Sequence, residues 1–193
     1  MLSIVRHART EANAGGRLQG RLDLPLDEVG RWQAAALVDI VSGVDRVVCS
    51  PALRALQTAE VFGVRPTVDE RWHEMAYGEF EGMAIDEVPR DMWQRWISDP
   101  DYAPEGGESL RSLGQRVRAA CDDLLEDARH RHVVVVTHAT PVKVAMAWAL
   151  GVDESITWRS FVDQASVTRI IVRDRGPALS GFNVVSRPVS GVL

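Results

Sequence analysis

Cysteine is scarce: Cys49 and Cys121 are the only two in 193 residues. They lie far apart in unlike contexts, which gives neither a disulfide framework nor the paired spacing of a zinc site. Both read as small apolar residues of the interior. No apolar run approaches the ~20 residues that span a bilayer, and the apolar part of the opening Met1 to His7 is too short for a signal peptide. The expected location is the cytoplasm, with no membrane partner. Surplus basic charge is missing as well. The net charge is −5 and the sequence pI about 5.5, whereas a general nucleic-acid binder needs a basic surface to displace counterions. Repeats, low-complexity stretches and Pro/Gly/Ser linkers are also lacking, so residues 1–193 are expected to form one domain. The histidines show no His-Glu-x-x-His pattern, and no dense carboxylate cluster stands in the chain. Neither a zinc site nor a two-metal site is suggested, and no cofactor is expected.

What is present is an apolar fraction of 46%, enough for a sizeable core. Charge is unevenly spread: residues 1–66 carry eight Lys/Arg against seven Asp/Glu, and residues 67–193 carry fourteen against twenty. Local positive potential is expected near the N-terminus, where a small anion could bind.

Leu2 to Arg6 reads as a short buried strand, followed by a polar run from His7 to Leu26 without clear period. Asp27 caps a helix whose apolar residues Val29, Trp32, Ala36, Leu37 and Ile40 recur at helical spacing, with Gly43 placed to end it. Arg46 to Cys49 reads as a strand. Ser50-Pro51 suits the start of a helix closed by Gly63, since serine caps and proline fits the first turn. From Asp69 to Pro104 the pattern weakens to a glycine-punctuated loop and a short helix around Met92 to Ile97. Ser109 opens a long amphipathic helix running to His130, with Leu110, Leu113, Val117 and Cys121 on its apolar face. His132 to Thr137 is a β-branched run of the kind buried on both faces. Thr140 to Leu150 reads helical up to Gly151, and Val167 to Val172 and Phe182 to Val185 supply later strands. Alternating strands and helices predict an α/β fold, a three-layer α/β/α sandwich about a mostly parallel sheet.

Three strands end in chemically loaded residues: Arg6-His7 after the first, Ser50 to Arg54 after the second, and Thr137-His138 after the apolar run. In open α/β sheets ligands sit at the carboxyl ends of strands. Two histidines and two arginines brought to one sheet edge make a positive pocket holding a nucleophile, which is phosphate chemistry. Arginine presents a planar fork of donors matching phosphate oxygens and stays charged, while imidazole is neutral and nucleophilic near neutral pH. Any one of these residues, taken alone, is more often structural than catalytic.

Arg6-His7-Ala8-Arg9-Thr10, with Asn13, Gln19 and Gly20 behind it, is similar to the opening motif and phosphate loop of the histidine phosphatase superfamily. Ser50-Pro51-Ala52-Leu53-Arg54-Ala55-Leu56-Gln57-Thr58-Ala59 resembles its second motif. Glu74 ahead of Gly78 and Glu81-Gly82 resembles the segment that supplies the acid, and Gly106-Gly107-Glu108-Ser109 and Thr137-His138 complete the order. The resemblance spans nearly the whole chain and implies a phosphoglycerate mutase-like fold. It implies that His7 takes the phosphoryl group, that Arg6, Arg54, a protonated His138 and Asn13 hold its oxygens with Gln19 and Gly20 beside them, and that Glu74 protonates the leaving oxygen and later activates water. The substrate implied is a small phosphorylated metabolite. The glycine that follows each histidine in the family is alanine here, at Ala8 and Ala139, which would weaken the site if either position needed a positive φ or the closest backbone approach.

The remaining candidates carry plainer readings. Glu79, Glu81 and Glu108 are expected to bind backbone amides, Lys143 to be structural, His73, the neighbour of Glu74, to be first an exposed loop residue and second a substrate contact, and His130 and His132 to be solvated. Trp93 and Trp96, three apart on one helix face, read first as core and second as a wall of the pocket. A cysteine-dependent phosphatase is rejected: four residues separate Cys49 from Arg54, one too few for that chemistry, and no glycine lies among them. Two rivals stay open. A phosphomutase shares the phosphohistidine but follows its acid with Arg-His-Tyr-Gly, where this chain has Met75-Ala76-Tyr77-Gly78. An inactive phosphoryl-binding scaffold usually loses the nucleophile or the acid, and here both His7 and Glu74 are kept. Oligomeric state is not legible; a homodimer is one assembly the sequence allows.

Overall fold

The computed structural model describes residues 1–186. Six strands form one sheet: Leu2–Arg6 (β1), Arg46–Cys49 (β2), Thr67–Val68 (β3), Val133–Thr137 (β4), Val167–Arg173 (β5) and Gly176–Val184 (β6). Their order is β3-β2-β4-β1-β5-β6. β3, β2, β4 and β1 pair in parallel, whereas β5 is antiparallel to both β1 and β6. The sheet is therefore mixed, its antiparallel part a C-terminal hairpin. Strand β6 begins at Gly176 rather than at Phe182, because pairing with β5 carries Gly176 to Ser180, a stretch with little strand propensity of its own.

The helices are Glu11–Ala14 (α1), Glu28–Ala35 (α2), Leu53–Ala59 (α3), Arg90–Ser98 (α4), Leu110–Asp123 (α5), Leu125–His130 (α6) and Ala139–Leu150 (α7). Because successive strand residues point to opposite faces, the central strands feed two apolar layers. Leu2, Ile4, Val133 and Val135 pack with Leu113 and Val142 on one side. Val5, Val134 and Val136 pack with Leu37, Ala55 and Ala59 on the other. All of β4 is buried, as its unbroken β-branched sequence requires in a sheet covered on both faces.

Asp27 caps α2, its Oδ1 accepting from the Gly30 N–H at 2.7 Å. Three helices differ from the sequence reading: α2 stops at Ala35, gives way to a tighter 3-10 turn over Ala36–Asp39, and leaves Trp32 exposed. Ser50 does not start α3: its N–H still belongs to the sheet, donating to Val136 O at 2.9 Å. The helix begins at Leu53, whose N–H is capped from a distance by Asp23 Oδ1 at 2.7 Å. The long helix after Ser109 breaks at Leu124, where the N–H turns back to Cys121 O in a tighter i to i−3 bond at 3.1 Å. The separate α6 that follows still buries Ala128.

Candidate active site

The parallel pairing of β1, β4 and β2 brings their carboxyl ends level. Arg6 stands opposite Thr137, the His7 N–H donates to Thr137 O at 2.8 Å and the Ser50 N–H to Val136 O at 2.9 Å. Arg6-His7, Ser50 and His138 therefore emerge side by side, and Arg54 is delivered to them from the first turn of α3. A cavity of about 250 Å³ opens at this edge, with Arg6, His7, Asn13, Gln19, Arg54 and Glu74 in its wall and Gly20 beside them.

His7 is 3% exposed. Its Nδ1 lies 2.8 Å from Ala8 O, and a carbonyl can only accept, so Nδ1 carries the proton and Nε2 is unprotonated. Arg54 Nε points between the two imidazoles, donating to His7 Nε2 at 3.3 Å and to His138 Nδ1 at 3.2 Å. His138 must then hold its proton on Nε2, which stands 2.7 Å from the Ser50 hydroxyl. The rings meet edge to face, 5.1 Å between centroids. Burial, with the Arg54 charge beside them, pushes both imidazoles well below their ordinary 6.5. In the protein by itself desolvation and the neighbouring arginine disfavour the protonated form of His138.

Arg54 is wholly buried. Its Nη1 and Nη2 donate to Leu22 O at 2.8 Å and Gly20 O at 2.7 Å, and burial lowers it to about 10, still charged at neutral pH. Gly20 therefore reaches the site through its carbonyl. It sits at φ +50, a conformation that favours glycine, and a Cβ there would push the Glu81 carboxylate aside. Arg6 is anchored by Nη1 on Val162 O at 2.5 Å, while its buried Nε has no partner among the described residues. That unpaired donor suits an anion in the cavity. Asn13 Oδ1 accepts from Thr10 N at 3.1 Å, which leaves its NH₂ to donate. Gln19 has both ends of its amide engaged in the loop, Oε1 with Thr10 Oγ1 at 2.8 Å and Nε2 with Leu22 O at 3.4 Å.

Glu74, 7% exposed, lies across the amino end of α7. Its Oε2 accepts from Ala139 N at 3.1 Å and its Oε1 from Thr140 N at 3.3 Å and Met75 N at 2.9 Å. The strand of loop that bears it is held by Arg116, whose Nη1 donates to His73 O at 2.8 Å and to Arg71 O at 2.6 Å. Arg116 is in turn gripped by Glu108 through two bonds of 2.7 Å. Glu108 thus orders the loop through a side chain instead of the backbone amides expected of it. Glu81 does bind amides, those of Arg21 at 3.0 Å and Tyr77 at 3.1 Å.

Several supporting residues escaped the sequence reading. Ser50 orients His138. Thr58 donates to Arg54 O at 2.7 Å while accepting from the Ala8 N–H at 3.1 Å, so it fixes the backbone next to His7. His73 is no exposed loop residue: it is half-buried and stacks on His138 with centroids 6.3 Å apart. Their common signal, a small or ring polar residue near a motif, is too frequent to be read without contacts. The alanines after the histidines cost nothing in backbone strain, for among the described residues positive φ outside glycine occurs only at Ala165 and Asn183. Trp96 is buried against Tyr77, Phe80, Trp93 and Tyr102, and neither Trp93 nor Trp96 walls the cavity. Lys143 donates to Thr157 O at 3.1 Å. Cys49 is buried and its thiol is pushed up by burial to about 12, out of reach of thiolate chemistry. Among the described residues no group of three or more His, Cys, Asp or Glu side chains is placed to share a metal ion, and no helix is long and apolar enough to cross a membrane.

Comparison with known proteins bears on this arrangement. The family model "Histidine phosphatase superfamily (branch 1)" matches residues 2–185. Phosphoserine phosphatase 1 of Hydrogenobacter thermophilus is 36% identical over 198 aligned positions, covering 95% of this chain and 92% of its own length. Glucosyl-3-phosphoglycerate phosphatase of Mycolicibacterium vanbaalenii is 32% identical, over 78% of this chain and 74% of its own. The crystal structure of a phosphoserine phosphatase mutant from Entamoeba histolytica in complex with phosphoserine superposes with a TM-score of 0.86 at 26% identity, over 94% of this chain and 95% of that one. With the family model running from β1 through β6 and a fold shared almost end to end, the chain is a phosphatase and belongs to the histidine phosphatase superfamily.

Proposed function

We propose that this phosphatase hydrolyses monoesters of small phosphorylated metabolites without a metal ion, through a phosphohistidine on His7. The observation that carries the reading is the geometry of His7: its Nδ1 proton is committed to Ala8 O, and its unprotonated Nε2 accepts from Arg54 Nε in the cavity wall. Nε2 attacks phosphorus in line with the ester oxygen; the P–O bond to the alcohol breaks, and Glu74 gives the departing oxygen a proton. Water then attacks the phosphohistidine, losing its proton to Glu74, and the P–N bond breaks to release phosphate and restore His7. Two easier steps replace one difficult step. Fixed donors carry most of the stabilisation in phosphoryl transfer, and here they are Arg54, the unpaired Nε of Arg6 and the Asn13 amide. His138 supports them: its Nδ1 accepts from Arg54 Nε and its Nε2 proton rests on the Ser50 hydroxyl, which holds Arg54 at the phosphoryl group.

Two measurements test this. His7→Ala is expected to abolish turnover of a generic aryl phosphate, which in the wild type should be unaffected by a chelator. Rapid quench with labelled substrate should trap acid-labile, base-stable label on the wild type only. Turnover by the variant within about tenfold of wild type, a barrier difference of only about 1.4 kcal/mol, would remove His7 from the role.

A further inference from the structure

Large apolar side chains are costly to leave in water, and a cluster of them at the mouth of a polar cavity marks a binding surface. Phe161 is 68% exposed and Ile85 48% exposed, and both line the cavity that holds His7. Leu18 and Tyr77 continue the apolar wall inward.

Neither exposed residue sits on a loose segment. Phe161 is followed by Val162, which is 1% exposed and whose carbonyl anchors Arg6. Next comes Asp163, whose N–H donates to Asn183 Oδ1 at 2.7 Å while its Oδ2 accepts from Asn183 Nδ2 at 2.8 Å. The backbone that bears the ring is therefore fixed in register with the guanidinium that lines the cavity. Ile85 is tied to the opposite chain by its N–H on Gly16 O at 2.9 Å, next to the Arg17–Ala84 bridge.

The charged groups of the same wall are arranged differently. Among the described residues its only carboxylate is Glu74, already engaged by backbone amides and needed for proton transfer. An alcohol bearing an ammonium group finds no counter-charge of its own. Arg17, the cation outside the phosphate end, is exposed and donates to Gly82 O at 2.8 Å, where water and salt screen it.

We infer that the leaving group is an uncharged alcohol carrying an apolar or aromatic body, seated between Phe161 and Ile85, so that the enzyme prefers such esters to zwitterionic or polyhydroxy ones. The inference rests on the phosphatase reading of the site and adds the class of alcohol. The apolar rim binds ground state and transition state alike, so its effect belongs in KM.

The test compares 2-phenylethyl phosphate, glycerol 3-phosphate and phosphoserine, all esters of primary alcohols, with the wild type, Phe161→Ala and Phe161→Leu. The wild type should show kcat/KM for the phenylethyl ester at least about tenfold above the other two. Phe161→Ala should erase most of that margin through KM, Phe161→Leu should keep the larger part, and glycerol 3-phosphate should move by less than about twofold. Equal or inverted preference in the wild type, or an equal loss on all three esters in Phe161→Ala, would overturn the inference while leaving the phosphatase reading intact. No turnover of any of the three would overturn both.

Discussion

The two neutral histidines make stability depend on pH in a way that can be calculated before it is measured. Unfolded, each imidazole titrates near 6.5; folded, His7 and His138 are held well below that by burial and by Arg54. A depressed folded value means that both states are neutral above 6.5 and stability is then at its full level. As pH falls below 6.5 the unfolded chain takes up protons first, and stability is lost until the folded values are reached. Between pH 7.5 and 5.5 a histidine that stays neutral when folded removes about 1.4 kcal/mol, so the pair removes about 2.7 kcal/mol. That is a large fraction of the ~5–15 kcal/mol by which domains are stable. The contrast to measure is urea unfolding of wild type and His7→Asn, followed by tryptophan fluorescence in phosphate-free buffers at the two pH values. His73, also shifted down by burial and Arg21, adds to the slope of both proteins and cancels in the difference. Asp69 and Asp127, lowered from 3.8, lose their contributions only in more acid solution. The wild type should lose about 1.4 kcal/mol more than the variant over this interval. Slopes that agree within about 0.3 kcal/mol would show that His7 takes up its proton in the folded protein as readily as in the unfolded one, and would refute the neutral nucleophile.

Glu74→Gln is expected to slow alkyl esters at least about a hundredfold and activated aryl esters far less, since only the former need a proton in the transition state; equal slowing in steady-state assays of both would reassign Glu74 to structure. Supplied with 2- or 3-phosphoglycerate, the enzyme should release phosphate and leave the isomer ratio unchanged. Met75, where mutases of the family place an arginine, is 1% exposed inside the core, so no cation stands there to clamp a sugar acid. Isomerisation faster than phosphate release by about tenfold would instead favour a mutase.

What the sequence determined by itself is the part of the protein governed by local pattern. An unbroken run of valines from Val133 to Val136 puts apolar side chains on both faces of a strand and so calls for a sheet covered on both sides, and Asp27 ahead of a stretch with apolar residues at helical spacing marks a helix start. Parallel strands in such a sheet deliver their last residues to one edge, so Arg6-His7 and Thr137-His138 were legible as partners although they are far apart in the chain. Tertiary structure decided the rest, because the relevant quantities exist only once distant segments meet. Ser50 looks like a helix cap in its own neighbourhood, yet its hydroxyl serves His138, 88 residues away. The extent of β6 follows from its pairing with β5, and the cap of α3 comes from Asp23 on another loop. Which nitrogen of His7 bears the proton depends on the carbonyl that its ring meets, and whether His138 is charged depends on how completely the fold removes water around Arg54. Desolvation is a property of the assembled interior, and no residue carries it in its own sequence context.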